Sequence, residues 1–108
     1  MTISVGTLVV ITTVPDENLA VKITESLLQQ QLAACVHTLP LGRSTYRWKG
    51  AIESSTELML VIKSTTVRYE ELEADIRRLH SYEMPEILAF PVEIGFPAYM
   101  KWIWDETK

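Results

Sequence analysis

The period of the apolar residues changes several times along this chain, and each change marks a predicted element. Val5 to Thr13 is a β-branched run that is apolar on both faces, which predicts a central strand covered on each side and stopped by Pro15. Within Asp16 to Gln31, the residues Leu19, Ile23 and Leu27 recur every four positions, with Ala20 and Leu28 widening the stripe. That spacing predicts a helix with one face on a sheet, and Asp16 is placed to cap its first amides. Ala33 to Pro40 reads as a second strand and Leu41-Gly42-Arg43 as a turn. Ser44 to Trp48, Lys49-Gly50 and Ala51 to Ser64 continue as extended chain, in which Gly50 marks a bulge or bend. The second and third strands then form a long, bent hairpin.

Side chains alternate along a strand, so Leu58, Leu60 and Ile62 share one face while Glu57, Met59, Val61 and Lys63 share the other. From Thr66 to His80 the apolar residues Tyr69, Leu72, Ile76 and Leu79 predict a second amphipathic helix. Its acidic first half and its closing Arg77, Arg78 and His80 agree with the helix dipole. Glu86 to Val92 is a fourth strand punctuated by Pro91, and Phe96 to Asp105 a short closing helix carrying Tyr99, Trp102 and Trp104.

The two halves repeat. Leu8-Val9-Val10 and Leu60-Val61-Ile62 are 52 positions apart, and the same offset carries Ala33 to Pro85 and Val36 to Leu88. Two strand-helix-strand units give βαββαβ, an α+β ferredoxin-like plan with a four-stranded antiparallel sheet and both helices on one face. The first and third strands are expected at the centre, the second and fourth at the edges. The face opposite the helices is rich in apolar residues, and the hairpin leaves open backbone groups at an edge. Subunits that pack sheet against sheet around a closed ring satisfy both.

Composition narrows this picture. The 108 residues, 47% hydrophobic and 22% charged, suffice for a single domain spanning 1–108 with a real core. A net charge of -4 and scattered basic residues oppose nucleic-acid binding, which needs clustered Lys and Arg. Cys35 is the only cysteine, so no intrachain disulfide forms. Met1 to Ser4 carries no basic residue and the first lysine is Lys22, so the run from Val5 lacks the charged flank of a signal peptide. No apolar run approaches the ~20 residues of a membrane span. The expectation is a cytoplasmic protein without membrane or nucleic-acid partners.

The densest chemistry lies at His80-Ser81-Tyr82-Glu83-Met84-Pro85-Glu86-Ile87, where the second helix gives way to the fourth strand. His80 reads either as a charge at a helix C-terminus or as a ligand for a borderline metal, with Glu83 or Glu86 supplying oxygen. Cys35 and His37 share a strand face, where Cys35 packs as a small hydrophobe and His37 stands near a subunit contact or joins Cys35 on a metal. Glu57 and Lys63 are ~20 Å apart along their strand and need separate partners. Lys63 is expected to point toward the His80 to Glu86 loop. Glu57 and Lys63 read either as a catalytic acid and an electrostatic clamp or as members of intersubunit ion pairs, Tyr46 and Trp48 as interface anchors, and Tyr82, Tyr99 and Trp102 as walls of a cleft or packing of the last helix. An anion-cradling loop is missing from Thr13-Val14-Pro15-Asp16, and the third strand lacks the aromatics of an RNA-recognition sheet. No nucleophile and base pair emerges, so no enzyme is expected.

Taken in order, several segments also resemble one family: Thr13-Val-Pro-Asp16, Leu32-Ala-Ala-Cys-Val36, Ser44-x-Tyr46-x-Trp48-x-Gly50, Glu57 with Lys63-Ser-Thr65, His80-x-Tyr82-x-x-Pro85-Glu86-Ile87, and Tyr99-x-x-Trp102. The chain resembles the CutA, or divalent cation tolerance, family over nearly its whole length. The resemblance implies a ferredoxin-like homotrimer, similar in architecture to the PII signalling trimers, with clefts between subunits lined by Lys63, Tyr82, Glu86, Tyr99 and Trp102. It also implies a link to copper and other divalent ions, zinc among them. Copper-binding members of the family place a cysteine at the position of Thr12 and two histidines at those of Leu79 and His80. Here only His80 matches, so a sulfur-ligated Cu(I) site is not implied.

Overall fold

A computed structural model describes residues 6–108. Val5, where the sequence pattern starts the first strand, lies outside the described residues, as do Met1 to Ser4. The elements are β1 (Thr7–Val14), α1 (Glu17–Gln29), β2 (Cys35–Trp48), β3 (Ala51–Thr65), α2 (Tyr69–Leu79), β4 (Ile87–Val92) and α3 (Pro97–Thr107). The four strands form one antiparallel sheet in the order β2-β3-β1-β4, which is the expected ferredoxin-like arrangement with β1 and β3 central.

Alternation sorts the sheet into two faces. Leu8, Val10, Val14, Leu58, Leu60 and Ile62 point toward the helices and form one core with Ala20, Ile23, Leu27, Leu72 and Ile76. Asp16 caps α1 as expected, accepting a 2.9 Å bond from the Leu19 amide. The helix stops two residues short of the sequence expectation because Gln31 turns into the left-handed region at φ 57°. The Leu32 amide then bonds the Leu27 carbonyl and the Gln31 amide the Leu28 carbonyl, which closes the helix end.

The hairpin differs from its sequence reading. Leu41-Gly42-Arg43 does not turn the chain: β2 runs on to Trp48, with a register shift between Leu39 and Gly42. The reversal is at Lys49-Gly50, where φ values of 49° and 84° make a two-residue turn between Trp48 and Ala51. Two successive positive φ values match the twist of the flanking strands. Nothing lies within 4 Å of a Cβ built on Gly50, so a side chain there meets only backbone strain. Gly50→Ala is expected to lower stability by about 1 kcal/mol, read as a fall in the urea midpoint, and Gly50→Asn to recover most of it.

Because β1 pairs with β3 only from Leu58 to Thr65, the outer half of the hairpin projects as a two-stranded ribbon, and the chain extends 47 × 27 × 23 Å. On the second sheet face, α3 covers the end near Thr7 and Thr65, with Ile103 buried and Thr65 bonded to Thr107 at 3.4 Å. Beyond α3 this face carries Ile11, Met59, Val61, Leu88 and Phe90, the last two about half exposed. Among the described residues, no helix is long and apolar enough to cross a membrane.

Candidate functional site: the cleft beneath the hairpin

The chain from His80 to Glu86 is strapped to the end of β1. The His80 amide bonds the Ile76 carbonyl, closing α2, and its ring then bridges two segments. Nδ1 accepts the Tyr82 amide at 3.1 Å and Nε2 lies 2.7 Å from the Thr13 carbonyl oxygen, so Nε2–H is the donor. Tyr82 packs its ring 4.7 Å from that of His80 and donates its hydroxyl to Glu57 Oε2 at 2.7 Å. Burial, then the hydrogen bond and negative charge of Glu57, raise the Tyr82 phenol well above its ordinary value.

Between this loop and the base of the ribbon lies a cavity of about 640 Å³. Four carboxylates face it: Glu53 and Glu57 from β3, and Glu83 and Glu86 from the loop. Tyr46, Trp48 and Tyr82 supply aromatic wall, and Ser44, Thr45 and Ser81 supply hydroxyls. Among the described residues, no lysine or arginine lines it. Tyr46 and Trp48 reach it because β2 continues past the expected turn, which sets Tyr46 opposite Glu53.

The remaining predicted cleft residues are elsewhere in the chain. Lys63 lies at the other end of β3, with its ammonium 3.7 Å from Cys35 Sγ, and Sγ is 4.0 Å from the Tyr99 hydroxyl. Tyr99 stacks on Trp102 at 5.7 Å, and burial, followed by the neighbouring Cys35, raises its phenol. The expectation that Lys63 points toward the His80 to Glu86 loop is therefore corrected. The antiparallel register pairs Thr13 with Met59 and Val9 with Lys63, so it is Glu57 that stands beside the loop held at Thr13. Tyr82 and Glu86 belong to one cluster and Lys63, Tyr99 and Trp102 to another.

The positions tied to copper by resemblance do not converge. Thr12 is fully buried on the helix side with no partner for its hydroxyl, Leu79 packs against the core, and both His80 nitrogens are engaged. Among the described residues, no group of three or more His, Cys, Asp or Glu stands close enough to hold a metal ion. The described residues of a single chain therefore offer no complete coordination sphere, and Glu83 and Glu86 would need further donors.

Comparison with known proteins agrees with the fold. The sequence profile of the CutA1 divalent ion tolerance protein family matches residues 8–106. The chain belongs to the CutA family. It is similar to the divalent-cation tolerance protein CutA of Thermus thermophilus, with 39% identity over 92% of this chain and 96% of that protein. It is also 34% identical to the chloroplastic CutA protein of Arabidopsis thaliana, over 97% of this chain but only 58% of that longer protein. The crystal structure of CutA from Xylella fastidiosa superposes with a TM-score of 0.93 at 39% identity, over 95% of this chain and 99% of the other. With a chloroplastic relative among them, CutA proteins are not bound to one compartment, and family membership alone does not place this chain in the cytoplasm.

The sequence reading missed Thr13, Ser44, Thr45 and Glu53 as cavity residues, and gave Ser81 and Met84 no role of their own within the His80 to Ile87 stretch. Correct placement of the turn at Lys49-Gly50 is the signal that would have found Glu53, through its register with Tyr46.

Proposed function

We propose that this CutA chain serves divalent-cation tolerance as a homotrimer, and that copper, zinc or another divalent ion meets it at the acidic mouth formed by Glu83 and Glu86 beside His80. The observation that carries this reading is a cavity faced by four carboxylates and no lysine or arginine. Oxygen donors suit hard and borderline divalent ions, and water or a neighbouring subunit completes the sphere. The trimer draws its support from the apolar sheet face that α3 leaves uncovered and from the unpaired edges of β2 and β4.

Calorimetric titration of Cu(II) and Zn(II) at neutral pH, with mass by light scattering, tests this. Saturable binding is expected in a species about three times the 12.3 kDa chain mass. The Glu83→Gln/Glu86→Gln pair should lose at least ~10-fold in affinity, since charged oxygen ligands carry the site. His80→Ala should keep most of the binding, because both ring nitrogens already serve Thr13 and Tyr82. Loss in His80→Ala with the double variant unchanged would overturn this assignment.

A second reading treats the cavity as a PII-like small-molecule cleft in which metal is incidental. The aromatic walls favour it, because a metal ion has no use for Tyr46, Trp48 and Tyr82.

A further inference from the structure

Ser81 to Glu86 forms one wall of the cavity, since every residue of this segment except Pro85 lines it. Among the described residues, no backbone–backbone hydrogen bond outside the helices and strands involves the segment. The chain bends here without repetitive structure, and Ser81, Glu83, Met84 and Glu86 are exposed, Met84 by 73%. A segment with so few backbone bonds and so little buried apolar surface opens at far lower cost than the sheet beside it.

Two side-chain clasps hold it. The His80 ring joins the Tyr82 amide, at 3.1 Å, to the Thr13 carbonyl, at 2.7 Å. Strand β4 pairs with β1 only as far as Ile87 opposite Thr12, so at Thr13 the ring takes the place of a strand. Deeper in the cavity the Tyr82 hydroxyl donates to Glu57 Oε2 at 2.7 Å. Both clasps act on Tyr82, so releasing that one residue frees the wall. Leu79 and Ile87 pack against the core on either side, which sets the hinges just inside them.

We propose that Ser81 to Glu86 is a lid on the cavity, held shut through Tyr82 and opened by release of these two clasps while the sheet and helices stay folded. Glu83 and Glu86 ride on the lid, so a divalent ion held by both favours the closed form, and occupancy of the site and position of the lid are linked. That linkage rests on the reading of Glu83 and Glu86 as ion donors, whereas the lid itself does not.

Chymotrypsin is the probe, because it cuts after tyrosine and phenylalanine alike and acts on locally opened chain. Tyr82→Phe keeps the cleavage site and removes only the hydroxyl clasp. In the full chain in its native oligomeric state, the cut after residue 82 is expected to be about 10-fold faster in this variant, as suits the loss of a hydrogen bond to a carboxylate. Cuts after Tyr69 and Phe90, in α2 and β4, should keep their wild-type rates. Glu57→Gln weakens the same clasp from its other side and should quicken the cut about threefold with Tyr82 untouched. Equal rates in the wild type and both variants, including no cut at residue 82 in any of them, overturn the inference. A rise at Tyr69 and Phe90 as large as that at residue 82 overturns it too, since the whole fold is then loosening. With Zn(II) at ten times its Kd, the wild-type cut should slow about 10-fold. Zn(II) that binds and leaves the rate unchanged overturns the linkage. Clasp-dependent cutting of a protein that takes up no Zn(II) supports the lid and removes the metal reading instead.

Discussion

Leu60→Ala should cost about 3 to 4 kcal/mol of folding stability, within the range for leucines removed from a packed core. Leu60 is fully buried at the middle of β3, with Thr38 beside it on β2 and Thr12 on β1. Its face of the sheet meets both α1 and α2, so the cavity left by the missing methyls is walled by elements that cannot all move inward together. Urea unfolding at matched protein concentration measures the effect, with concentration held fixed because assembly and folding are linked. A loss below about 1 kcal/mol would mean that the two helices close over the gap.

Asp75 sets the second large effect. It is 7% exposed at the contact between α1 and α2, where Ser26 donates to Oδ2 at 2.6 Å and Arg78 to Oδ1 at 2.6 Å, while Gln30 braces Ser26 at 2.9 Å. Burial pushes this carboxyl up, but the hydrogen bonds from Ser26, Arg78 and Gln30 together outweigh it and hold the carboxyl below its ordinary value. A folded-state value lower than the unfolded one gives a contribution that is complete above the unfolded value near 4 and disappears as pH falls through the folded one. Asp75→Asn is therefore expected to cost about 1 to 2 kcal/mol at neutral pH, from weakened charge-assisted bonds. The gap between the two urea midpoints should close as the pH is taken below about 4. A gap that stays constant from neutral to acid would show that the charge contributes nothing.

The architecture was legible because its signals are local. Leu19, Ile23 and Leu27 mark α1, Leu72 and Ile76 mark α2, and the alternation of Leu58, Leu60 and Ile62 marks the buried face of β3. The hairpin was harder, since Pro40 and Gly42 give a strong turn signal where the structure has only a shifted register. Lys49-Gly50 is the true reversal, and lysine in the left-handed region is an uncommon first residue for such a turn. The site depended on that turn, because Tyr46, Trp48 and Glu53 reach the cavity only when β2 runs to Trp48. The engagement of His80 was invisible in sequence for another reason. Its acceptor is a backbone carbonyl 67 positions away, and backbone groups carry no residue code. Lys63 was misplaced because strand alternation tells a face but not an end. The end comes from register, which is set between Val14 and Leu58 and between Thr7 and Thr65.

That register also has a bearing on how the chain finds its fold. β2 and β3 are joined through two residues and can zip together from Trp48 and Ala51 outward, whereas β1 reaches β3 only when Val14 meets Leu58 across the whole of α1 and the hairpin. Closing the longer loop costs more chain entropy, so the search for the native topology is concentrated in the arrival of β1. Until it arrives, β3 presents the open backbone of its most apolar stretch, Leu58 to Ile62, to any other strand in solution. Refolding of this chain is best begun dilute, so that its own β1 is the strand that gets there first.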